Sequence, residues 1–169
     1  MNLFFRLILV SLFSRFKARI SVLGPCETYF RCWPTDLDIQ RHMNNGRYFS
    51  ILDVARVDLI SRSGLAKEIS KRGWYPVVVA ETIRFKKSIN PFEKFKVETI
   101  VLGWDEKAFI IRQCFIRHDV RIAEAIIRAR FLKRSGGLVS PNELLDIAGL
   151  NSLSSELEPW VKQWNQNQI

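Results

Sequence analysis

The chain has 169 residues, 47% hydrophobic and 25% charged, which is the size and balance of one compact domain and shows no sign of disorder. Its 12 Phe and 5 Trp can fill a core, and its 3 cysteines, odd in number and without a C-x-x-C pair, indicate neither a disulfide framework nor a zinc cage and fit a reducing, cytoplasmic setting. A net charge of +9 favours anionic partners, yet no helix-turn-helix, RNP-like or zinc-finger pattern accompanies the basic residues, so nucleic acid is not among the expected partners.

Residues 1–24 stand apart as an apolar and basic N-terminal helix, with 25–169 as the domain proper and its helical tail. In the opening MNLFFRLILVSLFSRFKARI, Arg6 interrupts the apolar run and Arg15, Lys17 and Arg19 follow it. The uncharged stretch Leu7 to Ser14 is far short of the roughly 20 apolar residues that span a bilayer. At 100° per residue Phe5, Leu9, Leu12 and Phe16 share a face, while Phe4, Leu7 and Val10 lie elsewhere, so the helix needs cover on most sides. Peripheral membrane contact through residues 1–20 is expected, with a protein groove or a short signal-anchor as the alternatives.

Beyond Leu23-Gly24-Pro25, Glu27 to Trp33 reads as a strand that stops at Pro34. A polar loop then leads into a helix with Asn44 or Asn45 as N-cap, an apolar face of Tyr48, Leu52, Ala55 and Leu59, and Arg47, Asp53, Arg56 and Arg62 outside it. It should end near Ser63-Gly64, with a short helical piece from Leu65 to Lys71. After Gly73 the period changes to two, which predicts strands over Val77 to Ile89, Phe95 to Trp104, Ala108 to Arg117 and Val120 to Lys133, joined as an antiparallel meander. On the last strand Ala123, Ala125 and Ala129 share a face with Ile127 and Phe131, leaving room for the helix to lie close. Ser140-Pro141 looks like a capped helix start, and Leu153 to Trp164 a last helix. These elements make an α+β domain in which an antiparallel sheet buries one long helix.

The chemistry concentrates in the loop. Asp36, Asp38 and His42 precede a helix N-terminus, whose unpaired N–H groups and positive dipole end suit a developing oxyanion. A carboxylate there can attack a thioester carbonyl or activate water, and His42 can orient that water or protonate the departing thiolate. Asp36 reads more simply as closing a turn after Pro34-Thr35, Asn44 and Asn45 as caps, and Cys114 as packing. Arg84, Lys86 and Lys87 are candidates for gripping phosphates, although strand alternation sets Lys87 on the face opposite the other two. No G-x-S-x-G is present, which argues against an α/β-hydrolase route to the same reaction.

The run Asp36-Leu-Asp38-Ile-Gln-Arg-His42-Met-Asn-Asn-Gly-Arg-Tyr48 resembles the D-x-D-x-x-x-H-x-N-N-x-x-Y signature of hot-dog thioesterases of the 4-hydroxybenzoyl-CoA thioesterase-like group, closest to its THEM6-like branch. The stretches around Glu81-Thr-Ile-Arg-Phe85, Val101-Leu-Gly-Trp104 and Gly136-Gly-Leu-Val-Ser-Pro141 look similar to that branch too. The resemblance implies a hot-dog fold, hydrolysis of an acyl-CoA to free acid and CoA without metal or other cofactor, and a homodimer or dimer of dimers with the site between subunits. It implies Asp38 as the catalytic carboxylate, His42 as the family histidine, and the N–H groups around Asn44, Asn45 and Gly46 as the oxyanion-binding helix end. Gln40 stands where some members carry asparagine. Another class of these enzymes uses a carboxylate about two turns into the helix, which makes Asp53 the alternative. The rival functions are a non-catalytic acyl-ligand or membrane-associated protein on this fold, and a hot-dog dehydratase or hydratase needing Asp53 with His42.

Overall fold

A computed structural model describes residues 3–150 and 154–168. In chain order it contains α1 (Leu3–Phe13), β1 (Cys26–Arg31), α2 (Asn45–Arg62), α3 (Leu65–Lys71), β2 (Trp74–Phe85), β3 (Lys94–Trp104), β4 (Phe109–Arg117), β5 (Val120–Lys133), β6 (Leu138–Val139), α4 (Pro141–Ile147) and α5 (Pro159–Gln166). One antiparallel sheet in the order β1-β3-β4-β5-β2, with β6 paired to the end of β5, packs its inner face on α2.

Helix α2 forms where the apolar spacing predicts it. Asn44 caps it, its side chain accepting from the Gly46 N–H at 2.9 Å. It ends where Gly64 takes φ 84°, a left-handed conformation that a side chain would strain. Tyr48, Ile51, Leu52 and Ala55 are buried against Phe115, Ala123, Ala125, Ile127 and Ala129. The alanines on β5 therefore do what their spacing suggests, letting helix and sheet approach. Ala125→Leu should overfill that contact and cost about 1–3 kcal/mol, read as a lower urea midpoint at unchanged slope.

Arg56 departs from the expectation of an outward side chain. It is buried and donates to Gln113 Oε1 at 2.6 Å, while Gln113 Nε2 donates to the Leu52 carbonyl and Thr99 Oγ1 at 3.1 and 3.0 Å. A long side chain at the margin of the apolar face can reach inward once a polar strand residue lies opposite it.

The meander expectation holds for β3, β4 and β5 and fails for β2. That strand starts earlier than predicted, at Trp74, ends at Phe85, and pairs with β5 through a bulge between Val78 and Ala80. Residues 86–93 then carry the chain past the N-terminal end of α2 to the other side of the sheet, where β3 pairs with β1. Ile89 is buried in this crossover and its carbonyl accepts from Met43 N at 2.9 Å. Alternating hydrophobicity specifies a half-buried strand but does not name its neighbour.

The outer face of the sheet is covered by the C-terminal segment. Val161 packs on Ile110 and Ile126, and Arg128 beneath it bonds Asp105 and Asn165. The helix begins at Pro159, later than the predicted Leu153, which lies outside the described residues. The capping box at Ser140 is formed, with Glu143 N donating to Ser140 Oγ at 3.2 Å and Ser140 N to Glu143 Oε1 at 3.0 Å. Cys26, Cys32 and Cys114 are free and buried, and burial pushes the Cys114 thiol up to about 11, as befits packing.

Candidate active site

The loop between β1 and α2 is a small hairpin. Its rungs are Asn44 N to the Asp36 carbonyl at 2.8 Å, a bridge between Leu37 and Met43, and Asp38 N to the His42 carbonyl at 2.9 Å. Arg41 turns the tip with φ 61°, a costly conformation for a residue with a Cβ. This local pairing places Asp38 opposite His42 directly ahead of α2.

Asp38 Oδ1 accepts the N–H of Gln40 at 2.8 Å and of His42 at 3.3 Å. These bonds orient the carboxylate, and Oδ2 has no protein hydrogen bond among the described residues, so it is the oxygen left for a ligand. Gly46 N–H is already engaged by the Asn44 side chain. Asn45, the first helical residue, has no acceptor one turn back for its own N–H. Among the described residues the helix end thus leaves the Asn45 N–H without a partner, while the Gly46 N–H is taken by Asn44.

A polar cleft of about 280 Å³ is lined by Asp38, Gln40, His42, Met43, Asn45, Tyr48, Phe85, Lys86, Lys87 and Ser88. Asp38, His42 and Asn45 therefore meet around one space, and the crossover closes its far side. Lys86 N and Lys87 N both donate to the Ile122 carbonyl, at 2.9 and 3.1 Å. Two residues against one carbonyl break the strand alternation, and both lysines reach the cleft instead of facing opposite ways. Arg84 lies on the exposed strand before them and does not line it. Tyr48 forms a buried wall, its hydroxyl pushed up to about 12 by burial and so neutral.

Asp53 sits elsewhere. Its side chain is 61% exposed and pairs with Arg56, at the mouth of an apolar pocket of about 190 Å³ walled by residues such as Val57, Ile60, Val101, Phe109 and Leu144. Glu81 on β2 shares this neighbourhood, its carboxyl pushed up by burial and by Asp53 and drawn down by Arg56.

In the sequence Arg6 stands out only as a charge that interrupts the apolar run. In the structure Arg6 and Asp36 form a buried ion pair, 4% and 1% exposed, and Arg6 also donates to the Arg31 carbonyl at 3.1 Å. Asp36 in turn accepts Trp33 N at 2.8 Å. The turn expected of Asp36 is present, and it also fastens α1 to the base of the Asp38 hairpin. The one signal available beforehand was a lone arginine inside an apolar helix, which calls for a buried partner without naming it.

The family model described as the thioesterase-like superfamily matches residues 32–165. Protein THEM6 of Xenopus laevis is 37% identical over 97 residues, covering 57% of this chain and 47% of that protein. Protein THEM6 of Drosophila melanogaster is 33% identical over 115 residues, 68% of this chain and 58% of that protein. The chain thus spans about half the length of these curated relatives. Among solved structures, the probable thioesterase YbaW from Escherichia coli superposes with a TM-score of 0.67 at 20% identity, over 72% of this chain and 94% of that one, which shows the shared hot-dog fold. With the signature loop inside the matched region and the sheet wrapped on its helix, the chain belongs to the thioesterase-like superfamily.

Proposed function

We propose that this chain is an acyl-CoA thioesterase whose working carboxylate is Asp38. The observation that supports the reading is that Asp38, His42 and Asn45 line one polar cleft together with Lys86 and Lys87. With the thioester carbonyl oxygen on the Asn45 N–H, negative charge developing on that oxygen meets a preorganised donor at the positive end of α2. Asp38 either attacks the carbonyl carbon, expelling CoA thiolate and leaving an anhydride that water cleaves, or takes a proton from the water that attacks. Both routes yield free acid and CoA, and in this reading His42, which lines the same cleft, returns a proton to the thiolate.

Thiol release from a panel of acyl-CoAs tests this directly. Turnover of some member supports it. Binding without release across the panel gives the lead to the acyl-ligand reading. Lys86 and Lys87 suit the phosphates of CoA, so K86A/K87A should raise KM about tenfold with little change in kcat, an effect that shrinks as salt rises.

The working form is a homodimer joined along β2. Among the described residues this strand pairs on one side only, with β5, and leaves Tyr75, Val78, Val79 and Phe85 exposed for a second copy. The helix α1 makes peripheral contact with a membrane. Among the described residues no helix is long and apolar enough to cross one.

A further inference from the structure

We infer that the groove between α1 and β1 is a docking site for anionic phospholipid at a bilayer surface. The inference builds on the membrane contact proposed above and adds the lipid chemistry and the residues that read it. The groove, of about 490 Å³, is walled by Leu9, Val10, Phe13, Phe30 and Trp33. Leu9 and Phe13 continue it onto an open face of α1 where Phe4, Phe5 and Leu12 are also exposed, and Phe16 just beyond is 87% exposed. Helix α1 also packs on α2, and Arg6, buried, lies at the inner wall of the groove. An apolar area of this extent on a folded chain marks a surface to be covered.

Charge selects the cover. Residues 1–26 include Arg6, Arg15, Lys17 and Arg19 and have no Asp or Glu. Arg6 and Lys17, at the inner side of the groove, are matched by Asp36 and Asp58. Arg31 and Lys94, at its β-sheet side, have no ion-pair partner among the described residues, and they face one another across paired strands, Arg31 opposite Lys94. A second copy meeting this face through a two-fold axis would bring cations against cations. A bilayer carrying anionic headgroups instead takes the Phe and Leu side chains into its acyl boundary and sets phosphates beside Arg31 and Lys94.

The test is co-sedimentation of the full chain with vesicles of phosphatidylcholine alone or of equimolar phosphatidylcholine and phosphatidylglycerol. Wild type is expected to pellet with the mixed vesicles and to stay largely in solution with the neutral ones. R31A/K94A, two exposed positions outside the Asp38 cleft, should weaken partitioning roughly fivefold per cation removed. L12E/F16E should abolish it, with circular dichroism confirming the fold. Equal binding of wild type to both vesicle types leaves membrane contact standing and overturns the headgroup site. Absence of binding to either overturns both. Lower mass of L12E/F16E than wild type by light scattering would show that a second copy covers this face, and the proposal fails. None of these readouts depends on thiol release, so they are separate from the fate of the hydrolase reading.

Discussion

Asp38→Asn is expected to lower kcat for acyl-CoA hydrolysis by about 10³-fold with fold and KM close to wild type. The asparagine side-chain oxygen can still accept from Gln40 N and His42 N, the two bonds that orient residue 38, so the hairpin keeps its shape. What it loses is the negative oxygen that has no protein partner, the one able to attack or to take a proton. Asp38→Ala removes the two orienting bonds as well and should add about 1–2 kcal/mol of instability to the same loss of turnover. Asp53→Asn is the informative contrast. Its carboxylate is largely exposed, pairs with Arg56 and borders the apolar pocket, so turnover should survive. Steady-state thiol release with circular dichroism on all three variants decides the matter. Retained activity in Asp38→Asn together with its loss in Asp53→Asn would transfer the chemistry to the helix carboxylate.

Arg6→Met should cost about 3–5 kcal/mol, more than any surface change, because it leaves the Asp36 carboxylate buried beside Trp33 N with its cation gone. Among the described residues Asp36 Oδ1 already has no hydrogen-bond partner, so little else there can take up the charge. The structure can respond by releasing α1 and letting water reach Asp36. Because the Asp36 carbonyl accepts the N–H of Asn44, the cap of α2, such a release loosens the base of the Asp38 hairpin, and kcat should fall along with stability. The double variant R6M/D36N removes both charges and should recover most of the lost stability, since a neutral pair needs no counter-ion. Urea denaturation of the single and double variants gives the coupling. A single variant within about 0.5 kcal/mol of wild type would show that the pair contributes nothing to the fold.

Much of the architecture was legible because it rests on local regularities. Asn44 at a helix entry, Gly64 at its exit, the apolar spacing of Tyr48, Leu52, Ala55 and Leu59, and the small residues on β5 each state a local preference, and each recurs in the structure. Asp38, His42 and Asn45 were legible as a group because they sit on one short loop and the helix it enters, so the motif itself carries their proximity. Arg56 was misread because its inward turn depends on Gln113, a residue 57 positions away.

Sequence by itself determined the helix, the strands, the α+β class and the loop that holds the candidate chemistry, since period, caps and turn residues act over a few neighbouring positions. Tertiary structure alone decided that β2 crosses to the far edge of the sheet, that the crossover brings both Lys86 and Lys87 to the Asp38 cleft, and that Arg6 clamps Asp36. Strand order, the break in alternation at Ile122 and a buried ion pair between residues 30 positions apart are set by which surfaces meet when the sheet closes on α2. A pattern of alternating side chains is equally satisfied by more than one neighbour, and only the packed core chooses between them.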